Sequence, residues 1–512
     1  LEENACATLD SGTDTMEPMF EIELDLPIKG SRESSHSLHR QLKAAILDGR
    51  LAAGTKLPPT RKAATFFGVS RNTAAEVYER LGSENLVVSR HGSGTYVIDA
   101  ISPRAAQTAP AGSASPGYAL NTFWLRTDVT AAMGFWRDTQ EEPAPSARTT
   151  TVDFRPALVD SRLFPFDVFR RVIASQLRGL EKKPARYKSP QGNQGNYALR
   201  DAITGHIALT RAIVCQADDI LISSGAQQAF DLLARVLVTP NRTLVAIEDP
   251  GYPPMRAAFA AAGAKIIAIG VDDEGMQVER LPPDVGVICV CPSHQFPLGT
   301  TMSSRRRKAL VEFARKRGAV IVEDDYDGEF RYEGSSLEAL RSSEAADVVF
   351  HVGTFSKCML PALRLGFIIA PRWAMPTLIA AKNCLDWHCS VPIQLGVAAF
   401  IREGHLARHV RRMREIYGQR RALILHSLRH DFAEWLLPIP SFYGMHIAAA
   451  ARTSLDLDRV ATTLLQDHVK IHAFSRYFHE SPSAAGLVFG YGAVDVAALK
   501  RGLASLRKAL RT

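Results

Sequence analysis

The sequence predicts a two-part chain: a small basic head of helices closed by a hairpin, and a large α/β body joined to it by a tether. Three observations carry this reading. At 512 residues the chain exceeds one ordinary domain. Between Lys29 and Ile98 there are eleven Lys or Arg against five Asp or Glu, so six of the chain's net eight positive charges fall on about seventy residues. From residue 151 onward, short apolar runs alternate with helical patterns. Hydrophobic residues at 46% and charged residues at 22% are those of a globular chain with ample core. No stretch approaches the ~18 apolar residues of a membrane span.

Residues 29–100 form the expected head, after a tail over 1–28. His36 to Arg50 sets Leu38, Leu42, Ala45 and Ile46 on one helical stripe. Pro58-Pro59-Thr60 starts a short second helix from Arg61 to Phe67, which stops at Gly68. Ser70 is an expected N-cap for a third helix, Arg71 to Leu81. Leu86 to Val88 and Thr95 to Val97 read as strands joined by a glycine-containing turn. This order is that of a winged helix-turn-helix. Its basic excess is the electrostatic footprint of a nucleic-acid-binding module. Ser70, Arg71, Asn72 and Thr73 occupy the first turn of the third helix, the part that reaches base edges in a major groove. Arg suits guanine and Asn suits adenine. Arg61 opens the second helix, and Arg90, His91 and Gly92 form a wing able to approach a minor groove. The stretch LPPTRKAATFFGVSRNTAAEVYERL followed by LVVSRHGSGTYV resembles the DNA-binding domain of the GntR family, which implies double-stranded DNA as a partner.

Residues 101–150 form the expected linker, rich in Ala, Ser, Pro and Thr at its start. A coil of ~50 residues averages ~40 Å end to end, enough for a head to dock on a partner subunit. Phe123-Trp124 and Phe135-Trp136 are too apolar for a solvated coil and are expected to anchor the tether to the body.

The body, 151–512, holds β-rich runs at Thr243–Glu248, Lys265–Gly270, Val285–Cys291, Ala319–Glu323 and Val348–Val352. Continuous apolar strands between helices argue for a mostly parallel sheet covered on both faces. Gly353-Thr354-Phe355-Ser356-Lys357 follows one of these strands, with Arg364 seven residues on. Lys357 is placed to form an imine with an aldehyde, and such lysines gain reactivity when their surroundings depress the pKa. Thr354, Ser356 and Arg364 suit a phosphate. Gly225 and Ala226, between the run ILIS and a helical segment, add a helix start whose N–H groups favour an anion. The run Glu323-Asp324-Asp325-Tyr326-Asp327 ends another strand. It supplies a carboxylate for a ring nitrogen and a phenol for a ring oxygen.

These elements in this order resemble fold-type I aminotransferases, and with the head the chain resembles the MocR/GabR subfamily of GntR regulators. The resemblance implies pyridoxal 5'-phosphate held by Lys357 as an internal aldimine. It implies Asp324 at the pyridine nitrogen with Asp325 as runner-up, Tyr326 at the 3-oxygen and Tyr252 stacked on the ring. It further implies a homodimer, with heads able to exchange between subunits, that senses a small amine, an amino acid or the cofactor itself. The alternative is a working aminotransferase with an accessory head. A sequence-specific DNA reader weighs against that, although a residual transaminase half-reaction is compatible with it. Two departures stand out. Phe296 occupies the Asn position of the Asn-Pro-x-Gly turn, leaving His294 or Gln295 as polar substitutes, and Leu487–Tyr491 lacks the arginine that commonly holds a substrate carboxylate. Arg256 or Arg476 are the nearest replacements.

No metal site is expected. The seven cysteines show no CxxC spacing and read as small buried hydrophobes. The N-terminus lacks the basic-then-apolar order of a signal peptide, so a cytoplasmic location is expected. Nothing before Met16 or Met19 reads as structured, and either is an expected start.

Overall fold

The computed structural model describes residues 33–98, 121–135, 151–182, 192–333, 338–341, 344–480 and 482–511. The chain divides into two units, Leu1–Leu120 and Asn121–Thr512. Among the described residues no helix is long and apolar enough to cross a membrane.

In the first unit, helices Glu33–Leu47, Thr60–Phe66 and Arg71–Ser83 pack around Leu38, Leu42, Ala63, Ala74, Val77 and Leu81. Lys43 of the first helix bonds Glu84 just beyond the third, Nζ to Oε2 2.8 Å. Strands Val87–Arg90 and Gly94–Val97 form the expected hairpin, and Lys56–Leu57 adds a third strand on the outer edge of Gly94–Val97. Two residues carry no periodicity, so that strand had no signature in the sequence.

The second unit is built on an eight-stranded sheet. Its order is Ile220–Ser223, Gly366–Ile369, Val349–Thr354, Val320–Asp325, Val287–Val290, Leu244–Asp249, Lys265–Asp272 and Gly275–Met276. The five strands from Val349–Thr354 to Lys265–Asp272 are mutually parallel. Gly366–Ile369 runs antiparallel between its neighbours, a reversal that the apolar run alone does not encode. All five strand runs named from the sequence lie in this sheet. Because the parallel strands share a direction, Asp249, Asp325 and Thr354 end on one edge, where ligands of open α/β sheets bind.

A second, antiparallel sheet was not foreseen. It pairs Leu436–Pro438, His446–Ala451, Gly486–Gly490 and His472–Ala473, and helices His405–His430, Leu457–Gln466 and Val496–Arg511 belong to the same core. The chain entering the body is tied to it: Val152–Asp153 pairs with Val469–Lys470, and Gly490 N donates to Phe154 O. Asp160 closes that tie. Its buried carboxylate accepts from Arg420 Nη2 at 2.9 Å, and Arg420 also caps the carbonyls of Tyr491 and Gly492.

Residues Asn121–Phe135, within the stretch expected to be linker, form a 3-10 turn, Thr122–Leu125, and a helix, Thr127–Met133, grouped with the second unit. The expected anchors divide. Phe135 is buried, 3% exposed, whereas Phe123 packs edge-on against Trp124 and Trp124 remains about half exposed. The pair Phe123-Trp124 is therefore no anchor, because its rings cover each other; Trp136 lies outside the described residues.

Removing one member of a buried ion pair leaves the other charged and desolvated. Asp160→Ala should lower the stability of the second unit by about 3 kcal/mol, read as the shift of its denaturant midpoint. An unchanged midpoint would mean that Arg420 is carried by Tyr491 and Gly492 alone.

Candidate functional site

At the sheet's C-terminal edge, strand Val320–Asp325 sends alternate side chains to opposite faces. On one face, Glu323 accepts from the backbone N–H of Leu340 and Arg341 and bonds His351 Nδ1 at 2.9 Å. Asp325, on the same face, is paired with the buried Arg211. Arg211 also reaches Glu329, which bonds His206. The runner-up carboxylate is thus committed to a buried cation.

Asp324 faces the other way. Its Oδ2 lies 3.8 Å from Cys291 Sγ, while Oδ1 is buried without a hydrogen-bond partner. Burial, reinforced by the charges of Asp325 and Asp327, pushes its pKa up to about 8. Glu248 is likewise pushed up to about 8 by burial, though Cys291 N and Gln295 Nε2 donate to it. Two neighbouring buried acids, each raised to about 8 and each with one oxygen left without a hydrogen-bond partner, describe a place short of a positive charge.

Lys357 follows strand Val349–Thr354. It is half-buried and its Nζ donates to Ala157 O at 2.7 Å. Burial drives its pKa down to about 8 against the opposing pull of Asp327 and Asp324. Beside it, Thr354 Oγ1 and Ser356 Oγ are 3.0 Å apart, and Ser356 N donates to Thr354 Oγ1. Arg364 folds back so that Nη2 donates to Ser224 O at 3.1 Å. Helix Gly225–Leu237 begins there, with Gly225 at φ +77° and Ala226 next. A Cβ on Gly225 would stand 3.0 Å from Arg364 Nη2, so glycine keeps the cup open. Gly225, Ala226, Thr354, Ser356 and Arg364, distant in sequence, converge on one corner.

The polar substitution left open in the sequence resolves geometrically. Gln295 is spent on the loops, its Nε2 donating to Pro250 O and Phe296 O and its Oε1 accepting from Leu298 N. His294 instead bonds the phenol of Tyr326, Nδ1 to O 2.9 Å, and lies 3.1 Å from both oxygens of Asp327. Phe296, two residues on in the turn, packs edge-on against both Tyr252 and Tyr326, at 5.6 Å each. His446 lies against His294 with ring centres 4.5 Å apart and bonds Pro297 O. His294, Asp327 and His446 bring metal-ligand atoms within 4.8 Å of one another, a cluster missed because 152 residues separate its ends. Asp327 bonds His294 and Met445 N, while His294 Nε2 and His446 Nδ1 are buried without hydrogen-bond partners.

Of the two arginines considered for a carboxylate, Arg256 lies near Asp249 and Asp128. Arg476 is exposed, its guanidinium 5.9 Å from the centre of the Phe135 ring. Strand Gly486–Gly490 and Tyr491 place no arginine in the body core.

In the first unit, the third helix is capped as expected: Thr73 N donates to Ser70 Oγ at 3.0 Å, and the two hydroxyls are 2.8 Å apart. Arg61, Arg71 and Asn72 are exposed on their helices. On the wing, Arg90 lies 5.2 Å from the Tyr96 ring centre, and His91 and Gly92 stand exposed at the tip, Gly92 at φ +73°. The polar residues of the first turn therefore divide into two that hold the helix and two that are free outward.

Comparison with known proteins agrees with both halves. The family of bacterial regulatory proteins of the gntR type matches residues 35–97, and aminotransferase class I and II matches 162–488. The probable rhizopine catabolism regulatory protein MocR of Rhizobium meliloti is 31% identical over 93% of this chain and 94% of its own. The HTH-type pyridoxine biosynthesis transcriptional regulator PdxR of Corynebacterium glutamicum is 28% identical over 95% and 99%. The kynurenine aminotransferase of Pyrococcus horikoshii superposes with a TM-score of 0.65 at 25% identity, covering 71% of this chain and 91% of its own.

Two outcomes follow. Ser70→Ala should cost the isolated-state stability of the first unit about 1 kcal/mol even without DNA, measured by urea unfolding followed by circular dichroism. In the cofactor-free chain, acylation of Lys357 should rise with pH through a midpoint near 8 rather than the ordinary 10.5, because only the unprotonated amine attacks. Peptide mapping against pH reads that midpoint.

Proposed function

The chain belongs to the MocR-type regulators, a GntR winged helix-turn-helix fused to an aminotransferase-like body, and from that premise we propose that it is a transcription regulator whose body binds pyridoxal 5'-phosphate and an amine. The observation that carries the cofactor is Asp324 Oδ1, buried and without a partner at the end of the central strand. A protonated pyridine nitrogen supplies the cation that Asp324 lacks, and its charge would return the carboxyl to its ionised form. The other residues suit the same group. Thr354, Ser356, Arg364 and the Gly225-Ala226 backbone offer a phosphate corner, Tyr326 a phenol for the 3-oxygen, and Tyr252 a ring face.

When bound, the cofactor supplies an electrophilic carbon at which one amine can be exchanged for another. Lys357, depressed to about 8, keeps a usable fraction of free amine near neutral pH, and Ala157 O orients it. Asp324 holds a proton at the ring nitrogen. His294 holds the Tyr326 phenol in place while Asp327 holds His294. Phe296 and Tyr477, both buried, exclude water from this side. An amine competing with Lys357 for that carbon would leave Lys357 Nζ to Ala157 O, and an amine preferring one arrangement of the body would shift the population accordingly.

DNA contact is assigned to Arg61, Arg71, Asn72, Arg90, His91 and Gly92, with Ser70 and Thr73 contributing chiefly by shaping the helix start. A homodimer would present two heads to paired half-sites, each head weak alone and tight together.

Two measurements test the reading. Addition of pyridoxal 5'-phosphate should give a visible absorption band that Lys357→Ala abolishes. An identical band in that variant would remove Lys357 from the site. Arg71→Ala should weaken binding to a DNA fragment selected from a random pool by roughly tenfold to a hundredfold while changing binding to unselected DNA much less. Equal losses on both, read by fluorescence anisotropy, would make Arg71 a phosphate contact.

A further inference from the structure

Phe135 ends the short helical segment that begins at Asn121, directly after the boundary of the first unit. Its ring is buried among rings of the cofactor edge: Tyr252 at 5.9 Å, Phe296 at 6.3 Å, His472 at 5.7 Å and Tyr477 at 5.6 Å, all edge-on or nearly so. Tyr326 belongs to the same apolar cluster. Thus a side chain from the entry segment fills space beside the two tyrosines assigned to the cofactor.

The segment itself is held lightly. Val129 and Ala132 are its other buried residues, three apart and in step with Phe135, against helix Pro253–Ala261. Its ion pair, Arg126 with Asp128, is exposed on both sides and contributes little. Leu125 and Met133 face outward. Among the described residues its buried attachments are Val129, Ala132 and Phe135, and a short element held by three side chains lies toward the low-stability end of a fold.

We infer that Phe135 is the specificity wall of the amine pocket, and that an amine with a flat apolar body is seated only by displacing it. This rests on the cofactor site proposed above, beside which the amine would sit. Rings that accept a phenylalanine edge-on accept another flat apolar group in its place. The occupant that replaces Phe135 dislodges the segment covalently continuous with the residues leading to the head. The effector class is therefore a primary amine carrying an aromatic or similarly flat apolar group, and its occupancy is felt at Asn121–Phe135. A compact amine such as methylamine fits without moving it.

The test titrates the full-length chain, supplied with pyridoxal 5'-phosphate, with methylamine and with benzylamine, and reads the visible band; trypsin cleavage after the exposed Arg126 reads the segment. Phe135→Ala should tighten benzylamine at least tenfold while leaving methylamine within twofold, and should speed cleavage after Arg126 without any ligand. Phe135→Leu, which keeps most of the apolar contact, should fall between, and guards against misfolding of the alanine variant. In the wild type, benzylamine and not methylamine should accelerate cleavage. Equal benzylamine-to-methylamine ratios in all three proteins, or cleavage indifferent to benzylamine, would overturn the inference while leaving the cofactor site intact. A chain with no Lys357-dependent band would sink both readings, and the spectrum alone identifies that outcome.

Discussion

Everything at the cleft depends on how one buried strand end distributes its carboxylates. Glu323, Asp324, Asp325 and Asp327 fall within five residues and are all buried. Four such groups at one place are untenable unless each finds a donor or keeps a proton. Strand alternation performs the sorting. Glu323 and Asp325 turn toward His351 and Arg211, where strong donors wait, and Asp324 turns toward the opposite face, where the Cys291 thiol reaches Oδ2 and Oδ1 is left without a partner. Asp327 leaves the strand and takes His294 and Met445 N. The acid left facing the cleft is the one whose oxygen has no partner, which is what the proposed cationic ring would answer.

The strands and the nucleic-acid head were legible because their signals are local. A continuous apolar run followed by a Gly-Thr-Phe-Ser-Lys loop needs no distant information. Neither does Ser70 standing just before Arg71 at a helix start. What escaped notice was set by pairing across distance. Gly366–Ile369 looks like any apolar run, and its antiparallel sense follows from the tight return at Arg364 that brings it back along Val349–Thr354. The antiparallel sheet of the C-terminal part combines strands from residues 436 to 490, some only two or three residues long. The choice between Asp324 and Asp325 rested on Arg211, 114 residues upstream of Asp325.

The altered turn shows the same limit from another side. Sequence comparison with the Asn-Pro-x-Gly pattern exposed a missing amide and two neighbours able to replace it. Only the fold separates them, since Gln295 closes the turn on Pro250 while His294 reaches the phenol across it. The ring at Phe296 then becomes part of an aromatic wall instead of a polar contact. The entry segment was partly legible in the same way: its aromatic pairs marked it as more than tether, but which pair was seated depended on what the cleft offered. A stretch that looks low in complexity at its start thus carries, at Asn121–Phe135, an element with tertiary structure of its own.

The hydroxyl pair at the start of the third helix has a further consequence for how such a regulator can change its targets. Ser70 and Thr73 are bound to each other and to the helix backbone, whereas Arg71 and Asn72 between them are bound to nothing that the helix needs. On the proposed assignment of Arg71 and Asn72 to DNA, folding and reading would be lodged in different side chains only one residue apart. Drift at the two inner positions would then alter what the helix presents to DNA with its cap still intact, so diverging copies would be able to change targets without passing through an unfolded intermediate.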